Sequence, residues 1–302
     1  MKLSVITDEI DSALERALQV VQEFPIEQVE LRTLWGVNIA EADEGTLSRA
    51  RQLLRQAGLG VCSIASPVFK TDLFGIRERG AMHGAAEQPL EKHFELLQHC
   101  VEIAQFFDAP LIRIFAFWRA GELTPERAGH IVQMLERALP YAERAGILLG
   151  LENEHACQVG TGAELAQVLT RIGSPWLRAV WDPGNAFVLG EAASAGYAAI
   201  QPWVAHIHVK DAIREPDSTV RWVIIGEGEI GYAQHLAQIA QSGYHGFISL
   251  ETHARVDGLS QAEVSRRCLR ALLGLIASNM SDSSDISDRA KDSGGHYVGT
   301  IG

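Results

Sequence analysis

The sequence lacks the features of membrane-spanning proteins and of disulfide-stabilised secreted proteins. No apolar run approaches the roughly 20 residues that cross a bilayer, and the N-terminus turns acidic at Asp8 instead of continuing into a signal-peptide core. Cysteine is scarce, and the four cysteines are scattered without a CxxC pair, which is typical of reduced thiols. We therefore expect a cytoplasmic protein that has no association with a membrane.

Positive charge is also in short supply. Lys and Arg total 26 against 38 Asp and Glu, so the formal net charge is −12, and the basic residues form no cluster. Because binding to a phosphate backbone needs clustered Lys and Arg, this composition argues against nucleic acid as a partner. A small-molecule substrate is easier to accommodate.

The sequence does contain an alternation of short β-rich runs and longer amphipathic segments, which continues to about residue 277. Strands are predicted at residues 3–7, 28–32, 60–65, 111–117, 147–152, 179–182, 205–209 and 247–251. Helices are predicted at residues 12–23, 45–57, 88–107, 125–145, 163–172, 233–242 and 261–277, with a weaker one at 191–201. Eight βα units of this size predict an α/β fold, a single-domain (β/α)8 TIM barrel.

An open doubly wound sheet is the alternative fold, but Thr7, Asp8 and Glu9 stand where that fold usually has a Gly-rich phosphate turn. We assign residues 1–279 to the TIM-barrel domain. Residues 280–302 are rich in Ser, Asp and Gly and lack periodicity, which predicts a disordered tail or a remnant of cloning. Since soluble enzymes commonly form closed dimers, a homodimer is the default oligomer.

Metal-capable side chains close the last four predicted strands. These strands end in the segments LGLENEH, AVWDPGN, HIHVKD and SLETH, which supply Glu152, Asp182, His208 and Glu251. In a TIM barrel the C-terminal strand ends converge on the mouth, where active sites lie. Three carboxylates and one imidazole suit Mn²⁺, Mg²⁺ or Co²⁺ and could also accept Zn²⁺. The sequence therefore predicts one divalent metal ion at the mouth.

Two of these residues also suit proton transfer. Removing a proton beside a carbonyl needs a base near the carbon and stabilisation of the developing enediolate oxygen, which a divalent ion provides. Glu152 and Glu251 can act as the base and the acid. His206 lies two residues before His208 in one strand and points to the same side. His208 is nearer the mouth, so we assign the ligand role to it and an interior hydrogen bond to His206.

Further residues near the predicted strand ends are candidates for lining the pocket or orienting the ligands. The set comprises Glu30, Arg32, Trp35, Trp118, Arg119, Glu154, His155, Lys210 and Asp211. For each of them an ordinary packing or ion-pair role is the alternative, and Lys210 and Asp211 could simply pair with each other. We take Trp118, His155 and Lys210 as predicted substrate-binding residues.

The segments LEN, DPGN, HxHVKD, a later GEGE and a final LETH together resemble the xylose isomerase-like TIM-barrel superfamily. That group includes tagatose 3-epimerases, hydroxypyruvate isomerases, inosose dehydratases and, more remotely, endonuclease IV. The likeness runs over residues 1 to about 277, and its second half carries the specific motifs. It implies that the four strand-end residues bind the metal and that the two Glu residues are acid and base on opposite faces of the substrate carbon.

The resemblance also implies two substrate contacts. Arg214 lies six residues beyond the ligand His, at the position of an Arg that contacts substrate in this group. Asn185 lies three residues beyond the ligand Asp, where the epimerases have a substrate-contacting His. This departure leaves the identity of the substrate open.

We therefore expect a metal-dependent sugar isomerase or epimerase that acts on a keto-sugar, a hydroxy-keto acid or a related polyol ketone. A metal-dependent dehydratase of the inosose or dehydroshikimate type is the alternative, because the same carbanion can expel a β-hydroxyl. A nuclease like endonuclease IV would need several more His ligands, and Asn185 replaces one of them. A non-catalytic sugar-binding protein is the remaining class, since a fold does not dictate a function.

Overall fold

The strands form the predicted barrel in the computed structural model, which describes residues 1–75 and 89–292, with side chains described to residue 279. The barrel strands of this part are β1 (Lys2–Val5), β2 (Gln28–Leu31), β3 (Gly60–Ala65), β4 (Leu111–Ile114), β5 (Leu148–Glu152), β6 (Leu177–Trp181), β7 (Val204–Val209) and β8 (Phe247–Leu250). They make one parallel sheet in the order β1-β8-β7-β6-β5-β4-β3-β2. A parallel bridge between Ile6 and Glu30 joins the two end strands, so the barrel is nearly closed.

Helices connect the strands and cover the barrel. They are α1 (Leu14–Val21), α2 (Glu44–Ala57), α3 (Leu90–Phe107), α4 (Pro125–Ala145), α5 (Gly162–Ile172), α6 (Pro183–Val188), α7 (Ala193–Ile200), α8 (Tyr232–Gln241) and α9 (Gln261–Asp292). The ends of α4 follow from its sequence: the Thr124 side chain accepts from the backbone N–H of Arg127, and Gly146 closes the helix in the left-handed region at φ 67°. In the described part of the chain, none of these helices is both long and apolar enough for a membrane crossing.

The last helix extends beyond its predicted end. The periodicity predicts a helix over residues 261–277, whereas α9 continues to Asp292 and so passes the predicted domain boundary at residue 279. Residues 278–292 contain no Pro or Gly, so nothing in their sequence terminates a helix that has already formed. The rest of the predicted tail, residues 293–302, lies outside the described residues.

The fourth strand is shorter than predicted. It ends at Ile114 rather than at residue 117, because the chain leaves the barrel sheet to pair with the loop after β3. The N–H of Phe115 donates to the carbonyl of Val68 at 3.0 Å, and that of Phe117 donates to Phe69 at 2.9 Å. Phe117 adopts a positive φ of 61° at this turn.

Polar side chains occupy alternate positions of several strands. Buried examples are Ser4, Glu30, Ser63, Arg113, His206 and Ser249. Their apolar neighbours along the strands, such as Val5, Leu31 and Ile64, belong to the core shared with the helices. Since successive side chains of a strand point to opposite faces, the main apolar core lies between sheet and helices, and these polar side chains lie inside the barrel.

Candidate active site

The four predicted ligand residues converge at the C-terminal ends of the strands. Glu152 is the last residue of β5, Asp182 follows β6, His208 lies in β7, and Glu251 follows β8. Each residue contributes one potential ligand atom, and these four atoms all lie within 4.8 Å of one another. None of the four is more than 3% exposed. The barrel therefore gathers three carboxylates and an imidazole in one enclosed place.

Glu152 is held by a cation and by two polar side chains from neighbouring strands and helices. Arg113 of β4 donates through Nη1 to Glu152 Oε2 at 2.5 Å. The other oxygen, Oε1, lies 3.0 Å from His208 Nδ1 and accepts from Asn185 Nδ2 at 3.4 Å. Burial disfavours the carboxylate, but the positive charges of Arg113 and His208 outweigh it and lower the pKa of Glu152 to about 2.

Asp182 is fixed by the segment that follows it. Its Oδ1 accepts from the backbone N–H of Asn185 at 2.9 Å, which caps α6. Asn153, next to Glu152, accepts from the N–H of Asp182 and donates to its carbonyl, each at 2.8 Å. The Asn153 side chain thus ties the end of β5 to the end of β6. Burial raises the pKa of Asp182, against the opposing effect of Lys210.

Glu251 lies between two cations. Lys210 Nζ donates to Glu251 Oε2 at 2.6 Å and lies 2.8 Å from Asp182 Oδ2. Arg32 Nη1 donates to Glu251 Oε1 at 2.9 Å, and His253 Nε2 lies 3.2 Å from the same oxygen. Burial raises the pKa of Glu251, but Lys210, His253 and Arg32 together hold it well below its usual range.

This donor set fits a divalent cation. Its buried oxygens and imidazole nitrogen are close enough to meet one ion, and hard oxygen donors are what Mg²⁺ and Mn²⁺ prefer. Asp182 Oδ2 makes no hydrogen bond of good geometry with any described residue, although the Lys210 ammonium approaches it. Apart from this ion pair, Asp182 Oδ2 keeps lone-pair capacity for a bound cation.

Three of the predicted substrate contacts, His155, Asn185 and Lys210, lie beside the cluster. His155 Nδ1 is 2.9 Å from Asn185 Oδ1, and the Asn185 amide reaches Glu152. The His155 side chain is 39% exposed, in contrast to the buried ligands, so it can meet a molecule that enters from solvent. Lys210 contacts the ligand carboxylates directly. Their roles toward a substrate stay predictions.

The remaining candidates have other neighbours. Arg214 donates through Nη2 to the carbonyl of Phe187 at 2.5 Å, at the C-terminal end of α6. Trp118 is buried in a small cluster with Phe115 and Cys157. Substrate contact by Arg214 and Trp118 stays a prediction. Two further candidates for lining the pocket make structural contacts: Trp35 donates to Glu15 at 2.8 Å, and Arg119 pairs with Glu164 at 2.6 Å.

Asp211 anchors a loop instead of orienting the ligands. Its Oδ2 accepts from the N–H groups of Gly226 and Gly228 at 2.8 and 3.1 Å. The loop approaches so closely that a Cβ on Gly228 would lie 2.1 Å from Asp211 Oδ1. The GEGE segment is therefore a packed loop that only a glycine at position 228 allows.

Sequence reasoning missed several residues of the site. The sequence could have indicated Arg113, because it stands on β4 at an inward-facing position beside apolar residues. No sequence feature indicated Lys70. It lies in the loop after β3, where its Nζ donates to Glu154 Oε2 at 3.2 Å. His253 follows Glu251 by two residues and was overlooked as part of the LETH motif. Asn153 was overlooked in the same way within LEN.

Comparison with known families gives one match over most of the chain. The model of the xylose isomerase-like TIM barrel family matches residues 18–272. Among curated proteins, no significant match is found.

Several solved structures share the fold. The probable 3-DHS dehydratase AsbF of Bacillus anthracis superposes with a TM-score of 0.70 at 18% identity, over 90% of this chain and 99% of that one. An L-ribulose 3-epimerase superposes with a TM-score of 0.73 at 16% identity, over 95% of this chain and 98% of that one. A xylose isomerase-like TIM barrel protein from Mycobacterium smegmatis was solved in complex with magnesium. It superposes with a TM-score of 0.67 at 16% identity, over 92% of this chain and 97% of that one.

Proposed function

Because the chain belongs to the xylose isomerase-like TIM barrel family, we propose that it is a metal-dependent isomerase or epimerase of a small sugar or hydroxy-keto compound. The observation that carries this proposal is the convergence of Glu152, Asp182, His208 and Glu251 within 4.8 Å of one another at the barrel mouth. Two of them are glutamates from β5 and from the segment after β8, so they can approach a bound substrate from different directions.

The same four residues would hold one divalent ion, for which we propose Mn²⁺, Mg²⁺ or Co²⁺, with Zn²⁺ as an acceptable substitute. When bound, the ion would act as a Lewis acid that polarises the substrate carbonyl and stabilises negative charge on its oxygen. The magnesium complex of a structural neighbour supports the choice of a hard ion.

The glutamates would move the proton. One of Glu152 and Glu251 takes the proton from the carbon beside the carbonyl. In an isomerisation the same glutamate, now protonated, returns the proton to the neighbouring carbon. In an epimerisation the other glutamate must enter the cycle protonated from solvent and gives its proton to the opposite face. Arg113 favours the ionised form of Glu152, and Arg32 and Lys210 favour that of Glu251, so either can be the base.

Polar side chains at the rim would bind and orient the substrate. Asn185 and His155 offer an amide and an imidazole next to Glu152, and Lys210 offers an ammonium next to Glu251. We propose that these three contact substrate hydroxyl and carbonyl oxygens. Arg214 and Trp118 are proposed as outer contacts.

A dehydratase is the second candidate, and Lys210 favours it. Its ammonium lies 2.6 Å from Glu251 Oε2. After a glutamate removes the proton, the same ammonium could donate a proton to a β-hydroxyl as the C–O bond breaks, releasing water. A solved structural neighbour is itself a probable dehydratase.

A substrate screen with each divalent ion tests the proposal. The purified protein is incubated with ketoses, hydroxypyruvate and inososes, and products are identified by mass and NMR. A product of unchanged mass supports the isomerase or epimerase. A product lighter by one water, with a new enone absorbance, supports the dehydratase instead. Retention of every compound unchanged, with binding but no turnover, would favour a non-catalytic sugar-binding protein.

We further propose a cytoplasmic location and a homodimeric state, with a small molecule as the only partner. Size-exclusion chromatography with light scattering measures the oligomer directly, and a monomeric mass would refute the dimer.

A further inference from the structure

A buried carboxylate on the far side of His208 has no part in the proton transfer. Glu30 of β2 is fully buried inside the barrel. Its Oε2 lies 3.0 Å from Nε2 of His208 and 3.0 Å from Nε2 of His206. The two imidazole rings meet edge to face, with centroids 5.3 Å apart. One carboxylate oxygen therefore joins two histidines of β7 from across the barrel.

This contact places a proton on one nitrogen of His208. A carboxylate oxygen only accepts hydrogen bonds, so Nε2 of His208 must be the donor toward Glu30. The other nitrogen, Nδ1, lies 3.0 Å from Glu152 Oε1 on the side of the ligand cluster, so it also donates to a carboxylate in this arrangement. A metal ion at the cluster would replace the proton on Nδ1, whereas Nε2 would keep its proton toward Glu30.

We propose that Glu30 is a positioning residue, which accepts a hydrogen bond from His208 Nε2 and so directs the Nδ1 lone pair of His208 toward the metal ion. The inference rests on the proposed function in taking His208 as a ligand. His206 contributes by holding the same Glu30 oxygen from a deeper layer of the barrel, so that the carboxylate cannot turn away from His208. Ligand histidines that are oriented in this way bind metal more tightly.

The first test measures metal affinity. Calorimetric titration with Mn²⁺ compares the full-length protein with Glu30→Ala, Glu30→Gln and Ser63→Ala. We expect Glu30→Ala to weaken the affinity about 10- to 100-fold. Glu30→Gln should weaken it less, because its amide oxygen can still accept from His208. Ser63 is the matched control: it is buried opposite Glu30 in the β2–β3 register, and its substitution should leave the Kd within about twofold.

The second test uses no Glu30 variant, so its result does not depend on whether those variants fold. Nitrogen-15 NMR of histidine-labelled wild-type protein, with the His208 signal assigned by its loss in His208→Asn, reports which ring nitrogen is protonated. We expect a proton on Nε2 and none on Nδ1 in the presence of Mg²⁺ or Zn²⁺.

Two results would overturn the inference: a proton on Nδ1 and not on Nε2 of His208, or a folded Glu30→Ala protein whose Mn²⁺ affinity is unchanged. Absence of Mn²⁺ binding to the wild type would instead refute the proposed metal-dependent function. In that case a proton on Nε2 of wild-type His208 would still show that Glu30 accepts from it, and its absence would refute that contact.

Discussion

Single residues at the barrel mouth are held by charge partners from different strands. Arg113 of β4 reaches Glu152, Arg32 after β2 reaches Glu251, and Lys210 after β7 lies between Glu251 and Asp182. The sequence predicted the carboxylates because they close consecutive strands. It could not predict their partners, because the alternation of a strand tells which way a side chain points but not which distant side chain it meets.

A buried histidine outside the site gives a prediction on pH. His235 of α8 accepts a hydrogen bond from Trp181 Nε1 at 3.0 Å, and burial lowers its pKa to about 4, from 6.5 in an exposed site. The unfolded chain therefore takes up a proton near pH 6.5 while the folded protein does not. The stability that neutral His235 contributes is fully present above about pH 6.5 and is lost as the pH falls toward 4.

The variant His235→Gln keeps an acceptor for Trp181 and does not titrate. Between pH 7 and pH 5 we expect the wild type to lose about 2 kcal/mol more free energy of unfolding than this variant, at about 1.4 kcal/mol per pH unit. Urea unfolding at the two pH values measures the difference. Equal losses in both proteins would mean that His235 is protonated in the folded state.

Among the secondary-structure elements, the predicted strands and most of the predicted helices are present. The short helix and the hairpin that directly follow strand ends were not predicted. The segment DPGN was interpreted as a strand end, but it starts the short helix α6, because Asp182 caps it and Pro183 suits its first turn. The hairpin of Asp211–Arg214 and Val220–Val223, which follows β7, was also missed. Asp211, at the start of this hairpin, also anchors a loop 15 residues later, a contact that the local sequence does not reveal.

The Asn153 side chain gives a prediction at this scale. Asn153→Ala removes two hydrogen bonds to the Asp182 backbone and one to the carbonyl of Gly160 at 3.2 Å. Buried backbone groups left without partners cost about 1–3 kcal/mol each, so we expect a loss of about 3 kcal/mol or more in urea unfolding. Asp182 would also lose its position, and Mn²⁺ affinity should fall about tenfold. A stable variant with unchanged affinity would contradict this role.

Two glycines test the packing of the GEGE loop. In Gly228→Ala the new Cβ would lie 2.6 Å from the carbonyl oxygen of Ala212 and closer still to Asp211, so the loop must move. We expect faster cleavage of this loop by protease. Gly274→Ala in α9 is the control: nothing lies within 4 Å of its Cβ, so it should leave proteolysis unchanged. Similar digestion rates for Gly228→Ala and the wild type would show that the loop is loosely packed.

At the scale of the whole molecule, the alternation of strands and helices was enough to predict the barrel. Eight repeated units leave little freedom for another arrangement, since each parallel strand needs a helical crossover. The end of α9 was not predictable, because helix propagation beyond residue 277 depends on the absence of a stop signal rather than on an apolar face. The predicted ligand cluster lies at the mouth because its residues stand at or near the C-terminal ends of the strands.

The proposed divalent ion, held by residues at four strand ends, should stabilise the whole barrel. At a Mn²⁺ concentration 100 times the Kd, binding adds about 2.7 kcal/mol, which corresponds to a rise of roughly 4–5 °C in Tm for a chain of this length. Differential scanning fluorimetry measures the rise in Tm, and addition of EDTA should reverse it. Asp182→Asn is the matched variant and should show little rise. An equal rise in wild type and variant would place the ion elsewhere.

We propose that Glu152 and Glu251 transfer a proton at a carbon beside a carbonyl. Its most direct measurement is solvent exchange: the protein, a divalent ion and a substrate from the screen are incubated in D₂O, and deuterium at that carbon is followed by NMR. We predict incorporation with the wild type and its loss, by at least about 100-fold, in Glu152→Gln and in Glu251→Gln. Incorporation that persists at the wild-type rate in both variants would refute proton transfer by these two glutamates.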